Sequence, residues 1–334
     1  MNKPSITIYD VAREAGVSMA TVSRVVNGNN NVKPTTRKKV LDVINQLNYR
    51  PNAVARGLAN KKTTTIGVVI PDISNAFFSS LALGIDDIAT MYKYNILLAN
   101  SDSEEKKEIN VLNTLLARQV DGVIFMGRQI TQRIRKELLQ AKTPIVLAGT
   151  LDTKQQIPSV NINYEAASFE ATSFLAKKDN QQIAFISGPL VEPVNIAYFN
   201  GYKKALIENK LPYQEGLIFE ADYLFHKGGD LAKRIKNANI NACYVTDDEL
   251  AIGLSNGLLD LGIDIPDEIK IITSHNSTLT EFARPRISSI TQPLYDLGAV
   301  SMRLLTKLIN QEGIEEKNVI LPHGFEEKGS TSKN

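Results

Sequence analysis

Apolar positions along the chain change their period partway. Near the start, TIYDVAREAG spaces Ile8, Val11, Ala12 and Ala15 by three and four residues, as on one face of a helix. Thr7 precedes that face, Asp10 follows three residues later as in a capping box, and Gly16 supplies a stop. A second helix is predicted in GVSMATVSRVVNG, capped by Ser18, with Val22, Val25 and Val26 inward and Asn27-Gly28 at its end. A third starts near Thr35 and turns Val40, Val43, Ile44 and Leu47 inward. From Ile66 the pattern becomes short apolar runs between helical stretches: IGVVI, ILLAN, GVIFMG, PIVLAG, IAFIS, ACYVTD and IKIITS. Such runs suit parallel strands covered on both faces, and about 270 residues of repeated βα units exceed one doubly wound core. The predicted fold class is an all-α helix-turn-helix head followed by an α/β body of one or more parallel sheets.

Charge gives the head a task. Residues 1–62 carry eleven basic and three acidic side chains, whereas the other 272 carry 27 and 33, so a net charge of only +2 conceals a basic head on an acidic body. That division fits a polyanion-binding head on a regulatory body. In the second helix, where Ser18, Met19, Ala20 and Thr21 open the first turn, Met19, Ala20, Ser23 and Arg24 are left pointing outward. The four of the first turn are small or unbranched enough for a helix N-terminus to enter the DNA major groove, and Arg24 can reach guanine or phosphate. RPNAVARGLANKK follows, with a helical stretch, Ala53 to Ala59, of about two turns, too short to be stable alone. It reads either as an ordinary linker or as a helix that forms when something holds it.

Composition excludes several classes. A single cysteine, Cys243 in the strand-like ACYVTD, permits no internal disulfide and suits a reducing cytoplasm. The N-terminal residues lack the apolar core of a secretion signal, and no apolar run approaches the roughly 20 residues of a membrane span. A cytoplasmic, nucleoid-associated protein is expected. Neither GxGxxG after a strand, GxxxxGK[ST] nor HExxH occurs, and GVSMA lacks the second glycine of a nucleophile elbow. His226, His275 and His323 show no metal-ligand spacing. No catalysis, metal or cofactor is expected; a secreted sugar-binding protein is the alternative from another class, opposed by the basic head.

TIYDVAREAGVSMATVSRVVNG, YRPNAVARGLA and TTTIGVVIPDISNAFF together resemble the lactose/galactose repressor family in order, spacing and identity. The resemblance implies a DNA-binding domain over 1–50, a hinge helix and linker over 51–62, and an effector-binding and dimerisation domain over 63–334. That domain would be a periplasmic-binding-protein-like pair of parallel-sheet subdomains, crossed by three segments, with a cleft between them. Paired hinge helices would insert Leu58 into the minor groove of a pseudo-palindromic operator, with Arg56 beside the phosphates. Thr7, Tyr9, Asn31, Asn52 and Ala55 complete the candidate DNA-contacting set.

Which signal the body receives is left between two readings. Asp72, Ser74 and Phe77 after the first strand, and Asp248 and His275 after later ones, belong near the cleft, because open parallel sheets bind ligands at strand carboxyl ends. Family members that bind free sugars commonly place an Arg after the sixth strand and an Asp after a later one. Here VNIAYFNGY contains no Arg, and His275 in ITSHNS stands at the Asp position. DDIATMYKYNILLANSDSEEKKE, QVDGVIFMG and QPLYDLGAVSMRLLTKL resemble a member whose corepressor is a protein, the phosphocarrier HPr phosphorylated on serine, with a glycolytic phosphosugar as a further effector. The resemblance assigns corepressor contact to Leu83, Asp87, Tyr295, Asp296, Ala299, Met302 and Arg303. Leu297, Leu304 and Leu305 read as core. Leu83 and Gly324 depart from the Arg that relatives usually carry there.

Overall fold

The computed structural model describes residues 6–29, 31–50, 62–178 and 181–332. The chain divides into two compact units between Thr63 and Thr64.

In the first unit three helices enclose a small core: α1 (Ile8–Ala15), α2 (Met19–Val26) and α3 (Pro34–Gln46). Val11, Ala12, Ala15, Val22, Val25, Val40, Val43 and Tyr49 are buried together. Asp10 accepts from the Thr7 N–H at 2.9 Å and from its hydroxyl at 2.7 Å, fixing the entry to α1. Gly16 ends α1 at φ +60°, and the Val17 N–H reaches back to the Ala12 carbonyl at 3.0 Å. A side chain at that φ would be strained, which is why glycine makes the tight turn into α2.

The second unit contains two six-stranded sheets. The first is formed by β1 (Thr65–Ile70), β2 (Asn95–Asn100), β3 (Gly122–Phe125), β4 (Ile145–Ala148), β5 (Ser159–Ile162) and β11 (Asn318–Leu321). Its order is β11-β5-β4-β3-β1-β2, all parallel. The second is formed by β6 (Ile183–Ser187), β7 (Ile218–Glu220), β8 (Ala242–Val245), β9 (Lys270–Thr273), β10 (Ser288–Thr291) and β12 (Gly324–Glu326). Its order is β12-β10-β9-β8-β6-β7, parallel except for the β10–β12 pair. The chain therefore passes between the sheets three times, after Ile162, Thr291 and Leu321.

The seven apolar runs are all strands of these sheets. One differs from expectation: β2 is an edge strand, and Leu98 in it is 40 % exposed rather than covered on both faces. Helices cover the sheets, among them α4 (Ala76–Met91), α5 (Glu105–Ala117), α6 (Gln132–Gln140), α7 (Tyr164–Lys177), α8 (Pro193–Glu208) and α9 (Phe225–Asn237). The remaining helices are α10 (Asp248–Asp260), α11 (Thr278–Phe282) and α12 (Leu294–Ile309). Among the described residues no helix is long and apolar enough to cross a membrane.

Candidate functional site

Three places gather the residues singled out by sequence. In the head, Thr7, Tyr9, Ser18, Met19, Ala20, Arg24 and Asn31 are exposed, and Thr21 and Ser23 are half-buried. The valines of α2 face inward, so packing alone turns this polar set outward. Ser18 also caps α2: its hydroxyl accepts the Thr21 N–H at 3.2 Å and lies 2.9 Å from the Thr21 hydroxyl. Arg24 has no ion-pair partner among the described residues, whereas Arg13 is held by Asp10 at 2.9 Å. Its guanidinium is free to meet an anion or a guanine edge. Asn52, Ala55, Arg56 and Leu58 lie outside the described residues.

The second place is the face shared by α4 and α12. Gly84 on α4 and Gly298 on α12 let the two backbones touch: a Cβ on Gly84 would lie 2.1 Å from the Tyr295 carbonyl oxygen, and one on Gly298 2.0 Å from that of Leu81. This approach brings residues more than two hundred positions apart onto one surface. The Tyr295 hydroxyl donates to Asp87 at 2.9 Å, and that bond pushes the phenol's pKa up from its ordinary value. Leu83 is 58 % exposed, and Asp296 and Arg303 are exposed beside Tyr295. Two expected contacts are not on this surface. Ala299 packs against α4 at Gly84, and Met302 is fully buried in the main core, because both lie on the apolar stripe of α12. Lys307, exposed one turn beyond Arg303, was not singled out by sequence and adds a second cation at the i, i+4 spacing. Gly324 sits in β12 opposite Thr291.

The third place is a cavity of about 70 Å³ between the carboxyl ends of the two sheets. The segments after β1, β3 and β4 supply Phe77 from the first turn of α4, Gly127, Arg128 and Gly149; those after β6, β7, β8 and β9 supply Glu192, Asn195 from the first turn of α8, Tyr223, Thr246, Asp247 and His275. Both sheets reverse strand order there, between β1 and β3 and between β6 and β8. Such switch points are where open α/β sheets hold ligands.

Phe77 and His275 line the cavity and pack on each other, ring centroids 4.5 Å apart. The other expected cleft residues serve the loops instead. Asp72, at the cleft mouth, accepts from the Ser74 N–H and hydroxyl at 2.8 and 2.7 Å, closing a turn that leaves Ser74 exposed. Asp248 is buried, accepting from Thr273, the His275 N–H and the Ser277 N–H. It holds the loop after β9, and its neighbour Asp247 is the carboxylate that faces the cavity, 3.9 Å from His275. Burial pushes the pKa values of Asp247 and Glu192 up, and the nearby Arg128 charge pulls both back down. The Thr246 hydroxyl is buried without a protein partner, available to a water or a ligand hydroxyl. Arg128, Tyr223, Glu192, Asn195 and Asp247 were all missed by sequence; single polar residues after strands carry no spacing signal. Cys243 is fully buried and its thiol's pKa is pushed well up, as an inert core residue requires. No group of three His, Cys, Asp or Glu side chains among the described residues could hold a metal ion.

A basic three-helix head joined to a body of two switch-point sheets describes a DNA-binding transcription regulator. Residues 7–52 match the model of bacterial regulatory proteins of the lacI family, and residues 63–328 that of periplasmic binding proteins and the sugar binding domain of the LacI family. The chain belongs to the LacI family of bacterial transcription regulators, and is not an enzyme. It is 59 % identical to catabolite control protein A of Streptococcus mutans, over 98 % of both chains. The transcription regulator CcpA of Lactococcus lactis is 41 % identical with a TM-score of 0.77, over 80 % of this chain and 99 % of that one. The lac repressor dimer bound to operator and the anti-inducer ONPF is 27 % identical with a TM-score of 0.87, over 98 % of this chain and 99 % of that one.

Proposed function

We propose that this protein is a catabolite-control regulator that binds pseudo-palindromic operators as a homodimer, with serine-phosphorylated HPr as corepressor. The observation that carries this reading is the near full-length identity to a protein named catabolite control protein A. In this reading residues 1–50 read the operator, 51–62 form the hinge with Leu58 in the minor groove, and 63–334 dimerise and receive the signal. Thr7, Tyr9, Ser18, Met19, Ala20, Thr21, Ser23, Arg24 and Asn31 contact DNA together with Asn52, Ala55 and Arg56 of the hinge. The corepressor docks on Leu83, Asp87, Tyr295, Asp296 and Arg303, extended by Lys307. Arg303 meets the phosphoserine, because a guanidinium offers phosphate two parallel hydrogen bonds. With Leu83 contributing no charge, Arg303 and Lys307 carry the electrostatic share of that contact.

Operator titrations, with and without serine-phosphorylated HPr and with free sugars or phosphosugars, test the reading. The phosphoprotein should tighten operator binding about 5–150-fold, the usual range of coupling between two sites. Arg24→Ala should weaken binding to the preferred operator by about 1–3 kcal/mol and to random DNA much less. An unchanged affinity with the phosphoprotein, alongside a shift caused by a free sugar, would make the protein a sugar-responsive repressor instead.

A further inference from the structure

The cavity between the sheets is narrow because side chains from both subdomains reach across it. Arg128, after β3, extends its guanidinium over the ring of Tyr223, after β7, at 4.2 Å from the ring centre. Each half of this contact is held in place by its own subdomain. The Arg128 Nε donates to the Ser103 hydroxyl at 2.9 Å, leaving the terminal nitrogens for the ring. The Tyr223 hydroxyl donates to the Asn195 side chain at 2.7 Å. The hydroxyl end of the Tyr223 ring also rests against Gly188: a Cβ there would sit 2.3 Å from ring carbon Cζ and from the hydroxyl oxygen. Glycine at 188 is therefore the seat for this ring. Glu192 and Asp247, both of the second subdomain, add their attraction for the Arg128 charge. Phe77 of the first subdomain meets His275 of the second at 4.5 Å, a second contact across the gap. The enclosed 70 Å³ behind this contact holds a handful of waters, whereas the mouth in front of it, also lined by Arg128 and Tyr223, offers about 430 Å³.

We infer that Arg128, seated against Tyr223 and Gly188, is a built-in latch that holds the two subdomains closed, doing the bridging that a small molecule in the cleft would otherwise do. Closure is then a property of the chain, and a ligand enters only by displacing the latch. This goes beyond the corepressor reading and stands without it, because every residue involved belongs to this chain and none lies on the α4–α12 face.

The test is a distance measured between spin labels on the full-length protein. Lys136→Cys on α6 and Lys233→Cys on α9 place one exposed label on each subdomain, and the fully buried Cys243 stays unlabelled. With no ligand added and the labelled protein diluted into an excess of unlabelled protein, the parent pair should give one narrow distance within the protomer. Arg128→Gln should raise the open share roughly threefold to tenfold, the loss of a partly desolvated cation–π contact. Gly188→Ala should do the same without touching Arg128, by unseating the ring. Tyr223→Phe keeps the ring and should stay closed, whereas Tyr223→Leu should open. Far-UV circular dichroism checks that each variant is folded, and Arg128→Gln, a substitution at a half-exposed position, decides alone if Gly188→Ala unfolds. A broad distribution in the parent, or an unchanged one in Arg128→Gln, overturns the latch.

Discussion

The body has two surfaces through which a signal could arrive, and they differ in kind. The α4–α12 face is open and rigid: two glycines weld the helices backbone to backbone, and Tyr295, Asp87, Asp296 and Arg303 stand on it exposed. The cleft is pinched where Arg128 crosses to Tyr223, leaving an enclosed space of only about 70 Å³ behind its mouth. A face that is preorganised and exposed loses little entropy when a folded protein docks on it. A pinched cleft must first be opened before a ligand reaches its interior. The difference favours a protein as the input to this chain.

That contrast can be strained at both ends. The largest effect is expected at the weld: Gly298→Ala forces a Cβ into the Leu81 carbonyl and should cost about 3 kcal/mol in urea unfolding. Gly229→Ala on α9, where nothing lies within 4 Å, should instead stabilise by about 0.5–1 kcal/mol. If both are neutral, the helices are not fixed as the face requires.

Behind the cleft, Glu108 on α5 is 4 % exposed, and burial with Glu105 nearby pushes its pKa up to about 7 against the opposing pull of Arg128. The folded protein thus keeps this proton to about pH 7 while the unfolded chain releases it near 4.5. Stability contributed by this site therefore falls as pH rises between those values. Glu108→Gln should change little at pH 4 and add about 3 kcal/mol at pH 8, read as the difference between two denaturation curves. A gain at pH 4 as large as at pH 8 would rule out titration as its cause.

Smaller effects separate the two surfaces further. Thr246→Val removes a buried hydroxyl without a protein partner and should stabilise by up to about 1 kcal/mol. A loss instead would mean that the hydroxyl is bonded within the cavity. Tyr295→Phe removes the bond to Asp87 on an exposed face and should cost at most about 0.5 kcal/mol of stability. It should also reduce partner binding less than Tyr295→Ala, which removes the ring as well.

The sequence is most readable where one periodicity acts alone. The head's capping residues, its glycine stop and its valine stripe stand where three short helices need them. In the body, long apolar runs announce seven strands, but β5, β7, β10, β11 and β12 carry no such run. SVNI and SSIT place polar residues inside a sheet, where Asn161 donates to the Thr150 carbonyl and Ser288 and Ser289 bond to neighbouring backbone, so their burial leaves no hydrophobic mark. β7 is only three residues long. On α12 helical spacing groups the residues correctly, yet it cannot tell which side the core covers, and Met302 lies on the covered side. Arg128 and Tyr223 come together only because the two sheets face each other, and no local pattern foretells that.

The central claim is that a phosphorylated protein acts through the α4–α12 face. Reciprocal titration tests it most directly: the affinity of serine-phosphorylated HPr for this protein, measured with and without operator, for the parent and for Arg303→Ala. Linkage requires operator to tighten the phosphoprotein by the same factor, about 5–150, by which the phosphoprotein tightens operator. The parent should show that factor in both directions, and Arg303→Ala should lose it while binding operator alone nearly as well as the parent. Phosphoprotein binding that ignores operator, or survives Arg303→Ala unchanged, would contradict the account.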